Sequence, residues 1–474
     1  MKIAFLQETV NQNIGIMYLS AILKARGHHC ELFIRSLEKD NFFSAVKSYE
    51  PDVLGISVIT GSHHWALRTA GRFKELLPKT LMVFGGPHPT YFPQVINESM
   101  VDVIARGEAE VSFPELIQRI DEKKDFSDIL GLWVKKNGCL HCNDLAPLVE
   151  DLSSLPHPDH HLYLKYQFYK DQTEIPFSTI RGCPFKCTFC YNHAKSNLYQ
   201  GKGRILRTRS VSNVIDEMNL ARRLYPNMRT IVLYDDIIAM DKKWLAEFCD
   251  AYIEHINIPW FTSIRPDLVS EFVVEKLAKA KCFALSMGVE TGDEELRSTV
   301  LGKRIPNARY IEASELLRKA GIKVRTSNMF FLPGEDIQKA FMTVDINRQM
   351  KTDFAWGYTL QPYPGTDIYE YAVKNGDLSP DFNFDDIDPL GLTRPIIQTK
   401  DQNKIIVVHR FFQLAVHSDF VYKILKKLVL IPPNPLFDMI YYYSLITSYA
   451  KYHNVGFWRA ASVAWSNYWE TKAI

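Results

Sequence analysis

The stretch Arg181-Gly182-Cys183-Pro184-Phe185-Lys186-Cys187-Thr188-Phe189-Cys190-Tyr191 carries three thiols within eight residues, spaced Cys-x3-Cys-x2-Cys. It follows a short strand-like run, Phe177-Ser178-Thr179-Ile180. A four-cysteine zinc site needs a fourth ligand at short spacing, and none follows in the next turn. Thiolates are soft ligands, and three of them suit an iron–sulfur cluster, leaving one iron of a four-iron cube open to something other than protein. Three buried structural cysteines are the plain alternative, and clustering at ligand spacing weighs against it.

This spacing, with the aromatic Phe189 just before the last cysteine, resembles the signature of the radical S-adenosylmethionine (SAM) superfamily. The resemblance implies a [4Fe-4S] cluster on Cys183, Cys187 and Cys190. Its open iron would bind SAM and cleave it reductively to a 5′-deoxyadenosyl radical.

Working outward, 474 residues predict two or three domains, each able to bury its own core. Hydrophobic content of 46% and charged content of 23% are ordinary for a globular chain. A formal charge of +2 gives no reason to expect nucleic acid as a partner. The opening Met1-Lys2-Ile3-Ala4-Phe5-Leu6 reads as a strand rather than a signal peptide, and no apolar run reaches the roughly 18 residues of a membrane span. Eight cysteines without a secretion signal point to a reducing compartment, so the expected location is cytoplasmic.

Residues 1–145 alternate apolar strands (Lys2–Leu6, His29–Phe33, Val53–Val58, Leu81–Phe84, Val101–Ala105) with helical patterns, which predicts a doubly wound, Rossmann-like parallel sheet. Ligands of such sheets bind beyond the carboxyl ends of the strands. Those ends carry Glu8 to Gly15, Ser57 to Ser62, Gly85-Gly86-Pro87-His88 and Arg106-Gly107-Glu108. The segments Ile14 to Ser20, Pro51 to Ser57, Phe84 to Thr90 and Arg106 to Glu108 resemble the cobalamin-binding domain that precedes the radical SAM domain in one large subgroup. Asn13, Ile14, Gly15, Ser57, Thr60, Gly85, Gly86, His88, Gly107 and Glu108 are the cobalamin positions this implies. The Asp-x-His-x-x-Gly motif is absent from Gln7 to Asn13, so the resemblance implies cobalamin held without a histidine on cobalt. His88 is the nearest candidate ligand, and a turn histidine capping backbone groups is the competing reading. Cys139-Leu140-His141-Cys142 follows an Asn-Gly hairpin turn and has no second Cys-x2-Cys pair, a weak zinc pattern. Residues 146–174, rich in proline and histidine, read as a linker.

From 175 to 375 six strand candidates recur, Phe177–Ile180, Thr230–Tyr234, Trp260–Ile264, Phe283–Met287, Lys323–Leu332 and Phe354–Leu360, separated by helical patterns. The rhythm predicts a partial (βα)6 TIM-like barrel with its chemistry at the carboxyl face. Polar residues recur there: Asp235-Asp236, Arg265, Glu290 between two glycines, and Gln361-Pro362-Tyr363-Pro364-Gly365-Thr366. The family resemblance assigns Asp235 and Asp236 to the SAM amino group, Glu290 to the ribose and Arg265 to the carboxylate. Phe189 would pack on adenine, with Tyr191 in the same loop. Ser327 and Asn328 are further contact candidates, and Arg207 and Arg209 could meet a cofactor or only solvent and a helix dipole.

Residues 376–474 predict a helical C-terminal cap. Phe420, Val421, Ile424, Leu425 and Leu428 form the expected apolar face, opposite Lys423, Lys426 and Lys427. The end is aromatic, including Tyr441, Trp458, Trp465, Tyr468 and Trp469. Packing on the barrel is the favoured reading; membrane contact or a lipid-like substrate is the sharper one. The function expected is a cobalamin-dependent radical SAM enzyme methylating an unactivated carbon of a small molecule, served by a reductant such as flavodoxin or ferredoxin. A cyclase or rearrangement enzyme of the same architecture is the alternative. A non-catalytic sensor ranks below both, since no basic recognition helix appears.

Overall fold

The computed structural model describes residues 1–363, 365–388, 391–392, 394–453, 456–458 and 461. Pro364, Trp465, Tyr468 and Trp469 lie outside them. The chain divides into two compact units: Met1–Pro184 with Lys195–Arg229, and Phe185–Ala194 with Thr230–Ile474.

The first unit is built on seven strands: β1 (Lys2–Gln7), β2 (His29–Ile34), β3 (Val53–Ser57), β4 (Leu81–Gly85), β5 (Val103–Ala105), β6 (Leu132–Lys136) and β7 (Cys139–Cys142), ordered β2-β1-β3-β4-β5-β6-β7. β1 to β5 pair in parallel, and β6 and β7 add an antiparallel edge. Ile3, Ala4, Phe5 and Leu6 are all buried, as a parallel strand covered on both faces requires. The helices Ile14–Ala25, Phe42–Tyr49, His63–Leu76 and Ser112–Asp121 connect or flank these strands. Asn137 and Gly138 both take positive φ, 52° and 76°, the twist a two-residue hairpin turn needs. Cys139 and Cys142 are exposed on β7, and residues three apart on a strand face opposite sides.

The strand ahead of the cysteines departs from expectation. β8 spans Glu174–Phe177, ending where the predicted strand begins, and Ile180–Arg181 forms a separate short strand, β9. β9 pairs antiparallel with β10 (Arg207–Thr208), Ile180 opposite Thr208. A strand-like run of four could not reveal this break, because hydrogen-bond direction leaves no mark on composition.

The second unit holds β11 (Thr230–Leu233), β12 (Trp260–Ser263), β13 (Cys282–Glu290), β14 (Lys323–Phe330) and β15 (Phe354–Thr359), parallel and adjacent in chain order. Lys242–His255, Glu271–Lys279, Asn307–Lys319 and Ile337–Gln349 are the intervening helices. Asp241, Ser270 and Asp336 each cap one of them, accepting backbone N–H bonds that the first turn would leave unmade. Along β14 burial alternates: Val324, Thr326, Asn328 and Phe330 are buried, while Arg325, Ser327 and Met329 are half-buried. Thr326 and Asn328 bond to Asn347 of the helix Ile337–Gln349, so that face meets the helices and the other faces inward.

Three C-terminal helices follow, Gln402–His417, Asp419–Leu428 and Pro435–His453. His409 Nε2 of the first donates to the Gly357 carbonyl on β15, and Gln413 accepts from Ala355 N–H, docking the helix on that strand. Phe420 corrects the expected apolar face, being 72% exposed. The buried stripe of Asp419–Leu428 is centred on Leu425, and at 100° per residue Phe420 sits well off it. No helix of the described residues is long and apolar enough to cross a membrane.

Candidate active site

In the second unit the cysteine loop is pinned by backbone groups. Thr188 N–H donates to Leu301 C=O at 3.1 Å, Thr188 Oγ1 to Val300 C=O at 2.7 Å, and Ile368 N–H to Thr188 C=O at 3.0 Å. Gly302 takes φ 65°, and a Cβ there would lie 2.8 Å from Lys186 C=O, so only glycine lets the two segments meet. Cys190 N–H donates to Cys187 C=O, closing a turn that leads into the helix Tyr191–Leu198. Cys183, Cys187 and Cys190 are all half-buried.

Cys187 has a cationic neighbourhood. Arg265 Nη1 lies 4.0 Å from Cys187 Sγ, and its guanidinium stacks 3.4 Å over the Phe185 ring. Burial, the largest effect, raises the Cys187 thiol, while Lys303 and Arg265 pull it back. The family resemblance gives Arg265 to a carboxylate of SAM; its fork is engaged with Asp267 instead, Nε at 3.1 Å and Nη2 at 2.9 Å. Proximity to the thiol, rather than a vacant fork, is what this side chain offers.

Glu290 closes β13 with φ 67°, next to a register shift between Gly288 and Glu290. Its Oε1 lies 3.0 Å from Lys303 Nζ, both side chains buried. Lys303 also donates to Gly288 C=O, and Tyr310 OH donates to the same carbonyl at 3.0 Å. Burial alone would lower the Lys303 ammonium, but Tyr310, Glu290 and Cys187 outweigh it and the net shift is upward. Lys303 was missed in the sequence. The available signal was a lysine between apolar Leu301 and Ile305, where an unpaired charge is costly.

Of the remaining SAM candidates, Asp235 is 3% exposed whereas Asp236 is exposed, so the adjacent carboxylates occupy different environments. Phe189 packs against the hydrophobic cluster of the C-terminal helices, and the Tyr191 ring lies 5.2 Å from that of Tyr363. Ser327 faces inward; Asn328 points away, to Asn347.

The first unit gathers most of its candidates at the carboxyl ends of β1, β3 and β4. Asn13 caps Ile14–Ala25 through Ile16 N–H and donates to Ser57 Oγ at 3.1 Å. Val58 N–H donates to Gly85 C=O at 2.8 Å, and His88 N–H to Val58 C=O at 2.9 Å. Gly86 has φ 92°, and a Cβ there would meet Ser57 Oγ at 2.9 Å. Gly15 sits in the first turn of the helix that Asn13 caps, after Ile14. His88 is only 6% exposed; its Nδ1 lies 3.1 Å from Thr60 Oγ1 and its ring stacks on His63 at 4.4 Å and Phe92 at 4.9 Å. Thr60, His63 and Phe92 thus enclose the His88 ring.

Gly107 and Glu108 are engaged internally. A Cβ on Gly107 would fall 1.8 Å from Tyr199 OH. Glu108 binds Arg207 at 2.9 Å, Lys195 at 2.7 Å and Arg181 at 3.3 Å. Burial raises its carboxyl, but these three cations hold it down at about 2. Arg209 is likewise paired with Glu217, which also binds His160, all buried.

The donor sets fit the groups the sequence implies: three half-buried thiols in one loop for a [4Fe-4S] cluster, and strand ends lined by backbone and small residues for cobalamin. Two family models match: the radical SAM superfamily over residues 177–345 and the B12 binding domain over residues 8–117. An uncharacterized methyltransferase of Pyrococcus horikoshii, PH0819, is 28% identical over 377 residues, 77% of this chain and 80% of the other. The anaerobic magnesium-protoporphyrin IX monomethyl ester cyclase of Rubrivivax gelatinosus is 25% identical over 386 residues, 78% of this chain and 67% of the other. The solved structure of OxsB, a cobalamin-dependent SAM radical enzyme with aqua-cobalamin and SAM bound, superposes with a TM-score of 0.71 at 16% identity, covering 94% of this chain and 72% of that one.

Proposed function

We propose, for a chain that belongs to the radical SAM enzymes carrying a B12-binding domain, that it methylates an unactivated carbon of a small molecule and that its own residues divide the work as follows. When bound, the [4Fe-4S] cluster, SAM and cobalamin supply reductive SAM cleavage to a 5′-deoxyadenosyl radical and the methyl group; the protein supplies position and the exclusion of water. Cys183, Cys187 and Cys190 ligate the cluster. Arg265 and Lys303 set positive charge beside Cys187 and so favour its thiolate form. Glu290, fixed by Lys303, offers its carboxylate toward the SAM ribose; Asp235 and Asp236 serve the SAM amino group, and Phe189 and Tyr191 serve the adenine. Asn13, Ile14, Gly15, Ser57, Thr60, Gly85, Gly86 and His88 line the cobalamin site, with Gly107 and Glu108 stiffening it from behind.

The observation that carries this reading is the cysteine loop latched to residues 300–302, which brings Lys303 and Glu290 into the electrostatic neighbourhood of Cys187. Residues 1–145 are assigned to the cobalamin-binding domain, 146–174 to the linker, 175–375 to the radical SAM core and 376–474 to the helical cap. The working location is the cytoplasm, with flavodoxin or ferredoxin as reductant. The exposed apolar C-terminal surface around Phe420 and Leu430 is compatible with a lipid-like substrate.

The test is anaerobic reconstitution with iron, sulfide and cobalamin, followed by methyl-labelled SAM and a reductant. Formation of 5′-deoxyadenosine with label entering cobalamin is the expected result. Persistence of 5′-deoxyadenosine in Cys187→Ala would defeat the cluster assignment. Label absent from every product, with 5′-deoxyadenosine still formed, would favour the ring-forming chemistry of the cyclase relative.

A further inference from the structure

The inward face of the second unit's sheet holds a donor-rich group that the SAM and cluster assignments leave unused. Arg325 on β14 stands in register between Ser286 on β13 and Phe354 on β15, and Ser327 stands beside Trp356. The Arg325 guanidinium lies 5.8 Å from the centroid of the Phe354 ring and 5.7 Å from that of Trp356. Tyr358, two residues on from Trp356, turns its hydroxyl to Arg325; burial, the largest effect, raises that phenol, and Arg325 partly offsets it.

Two features distinguish this group. Among the described residues no carboxylate comes within ion-pairing distance of Arg325; the nearby acid, Glu290, is paired with Lys303. In addition, Arg325 Nε and Trp356 Nε1 are both buried with no acceptor. A buried donor left unmade is costly, so two on one face, one of them on a guanidinium with no carboxylate partner, call for an acceptor from outside the chain. An anion meets that demand best, since a charged acceptor bonds a guanidinium more strongly than a neutral one does. The surroundings are apolar: Phe261, Phe283, Phe354 and Trp356 pack together around Ala284.

We propose that Arg325 and the Trp356 indole N–H, beside Tyr358, form an anion-receiving subsite inside the barrel that holds a carboxylate or phosphate of the methyl acceptor, whose apolar body lies on the Phe261, Phe283 and Phe354 rings. This rests on the methyltransferase reading and narrows it: the acceptor is an anionic molecule with an apolar or aromatic portion. Arg325 selects the substrate by charge, and the aromatic wall selects it by shape.

The holoenzyme, loaded with SAM, is titrated calorimetrically with phenylacetate, phenyl phosphate and the neutral phenylacetamide. The expected result is binding of at least one anion, at least tenfold tighter than the amide, with a loss of tenfold or more in Arg325→Met and about threefold in Trp356→Phe. Anion binding absent from the wild type, or undiminished in Arg325→Met, overturns the proposal. If Arg325→Met does not fold, Trp356→Phe and Arg325→Lys decide: unchanged affinity in both overturns it equally. SAM's own carboxylate is the rival anion. A tenfold loss of SAM affinity in Arg325→Met that decarboxylated SAM does not share would assign the site to SAM and overturn the acceptor reading. Failure of the wild-type holoenzyme to form 5′-deoxyadenosine is a separate outcome, which strikes the methyltransferase reading and not the anion site.

Discussion

Lys303 Nζ stands 3.0 Å from Glu290 Oε1, with both side chains buried and no solvent to screen either charge. Each charge is acceptable only because the other is there. Lys303→Met strands a buried carboxylate and should cost roughly 3–5 kcal/mol, whereas Lys303→Met with Glu290→Gln should cost clearly less than the two single changes summed. Urea denaturation of the three variants measures the coupling; additive losses would mean the pair is not a unit.

Gly182 immediately precedes the first cysteine with φ 85°, and a Cβ there would lie 2.2 Å from Ile205 C=O. Gly182→Ala therefore meets an unfavourable backbone conformation and a rigid carbonyl together. Stability should fall by about 2 kcal/mol or more. Iron content per chain after reconstitution should fall with it, because Cys183 moves with its neighbour.

Glu335 is fully buried; its Oε2 accepts from Phe331 N–H at 2.5 Å and Leu332 N–H at 3.2 Å, and Oε1 has no partner. Burial, outweighing those two bonds, raises its carboxyl to about 8 from 4.5. The folded state thus keeps a proton that the unfolded chain loses. The stabilisation is whole below pH 4.5 and fades by about 1.4 kcal/mol per unit until pH reaches about 8. Glu335→Gln keeps the acceptor and removes the titration, so its stability curve should be flatter and higher than wild type at pH 8. Denaturation at pH 5, 7 and 9 checks the slope.

Glu108 titrates in the opposite sense. Held at about 2 by Arg207, Lys195 and Arg181 against an ordinary 4.5, it contributes stability above pH 4.5 that is lost as pH falls toward 2. Glu108→Gln should lose roughly 3 kcal/mol at neutral pH and show a shallower acid limb. An unchanged acid transition would mean that the three cations are satisfied without it.

The legible parts of this chain were those where backbone and side chain obey the same period. The apolar run Ile3 to Leu6 and the recurrence of strand and helix patterns announced parallel strands, and the Cys-x3-Cys-x2-Cys spacing announced soft-metal chemistry. What stayed hidden depends on partners distant in sequence. Lys303 matters because Glu290 and Cys187 surround it, and Arg325 because no carboxylate among the described residues pairs with it. The Arg265 fork meets Asp267, two residues on, a pairing that the sequence did not announce. Phe420 belongs by sequence to an apolar face, yet the helix turns Leu425 inward and Phe420 out.

Residues 195–229 fold with the first unit although the chain passes through 185–194 of the second before reaching them. A ribosome adds about 5–20 residues each second, so order of synthesis bears on maturation. The last parts of the first unit, β10 and the helix Val211–Leu224, are made after all three cysteines. The thiols therefore leave the exit tunnel ahead of the scaffold that must hold them. Neither unit is complete when they emerge, since both continue beyond residue 195.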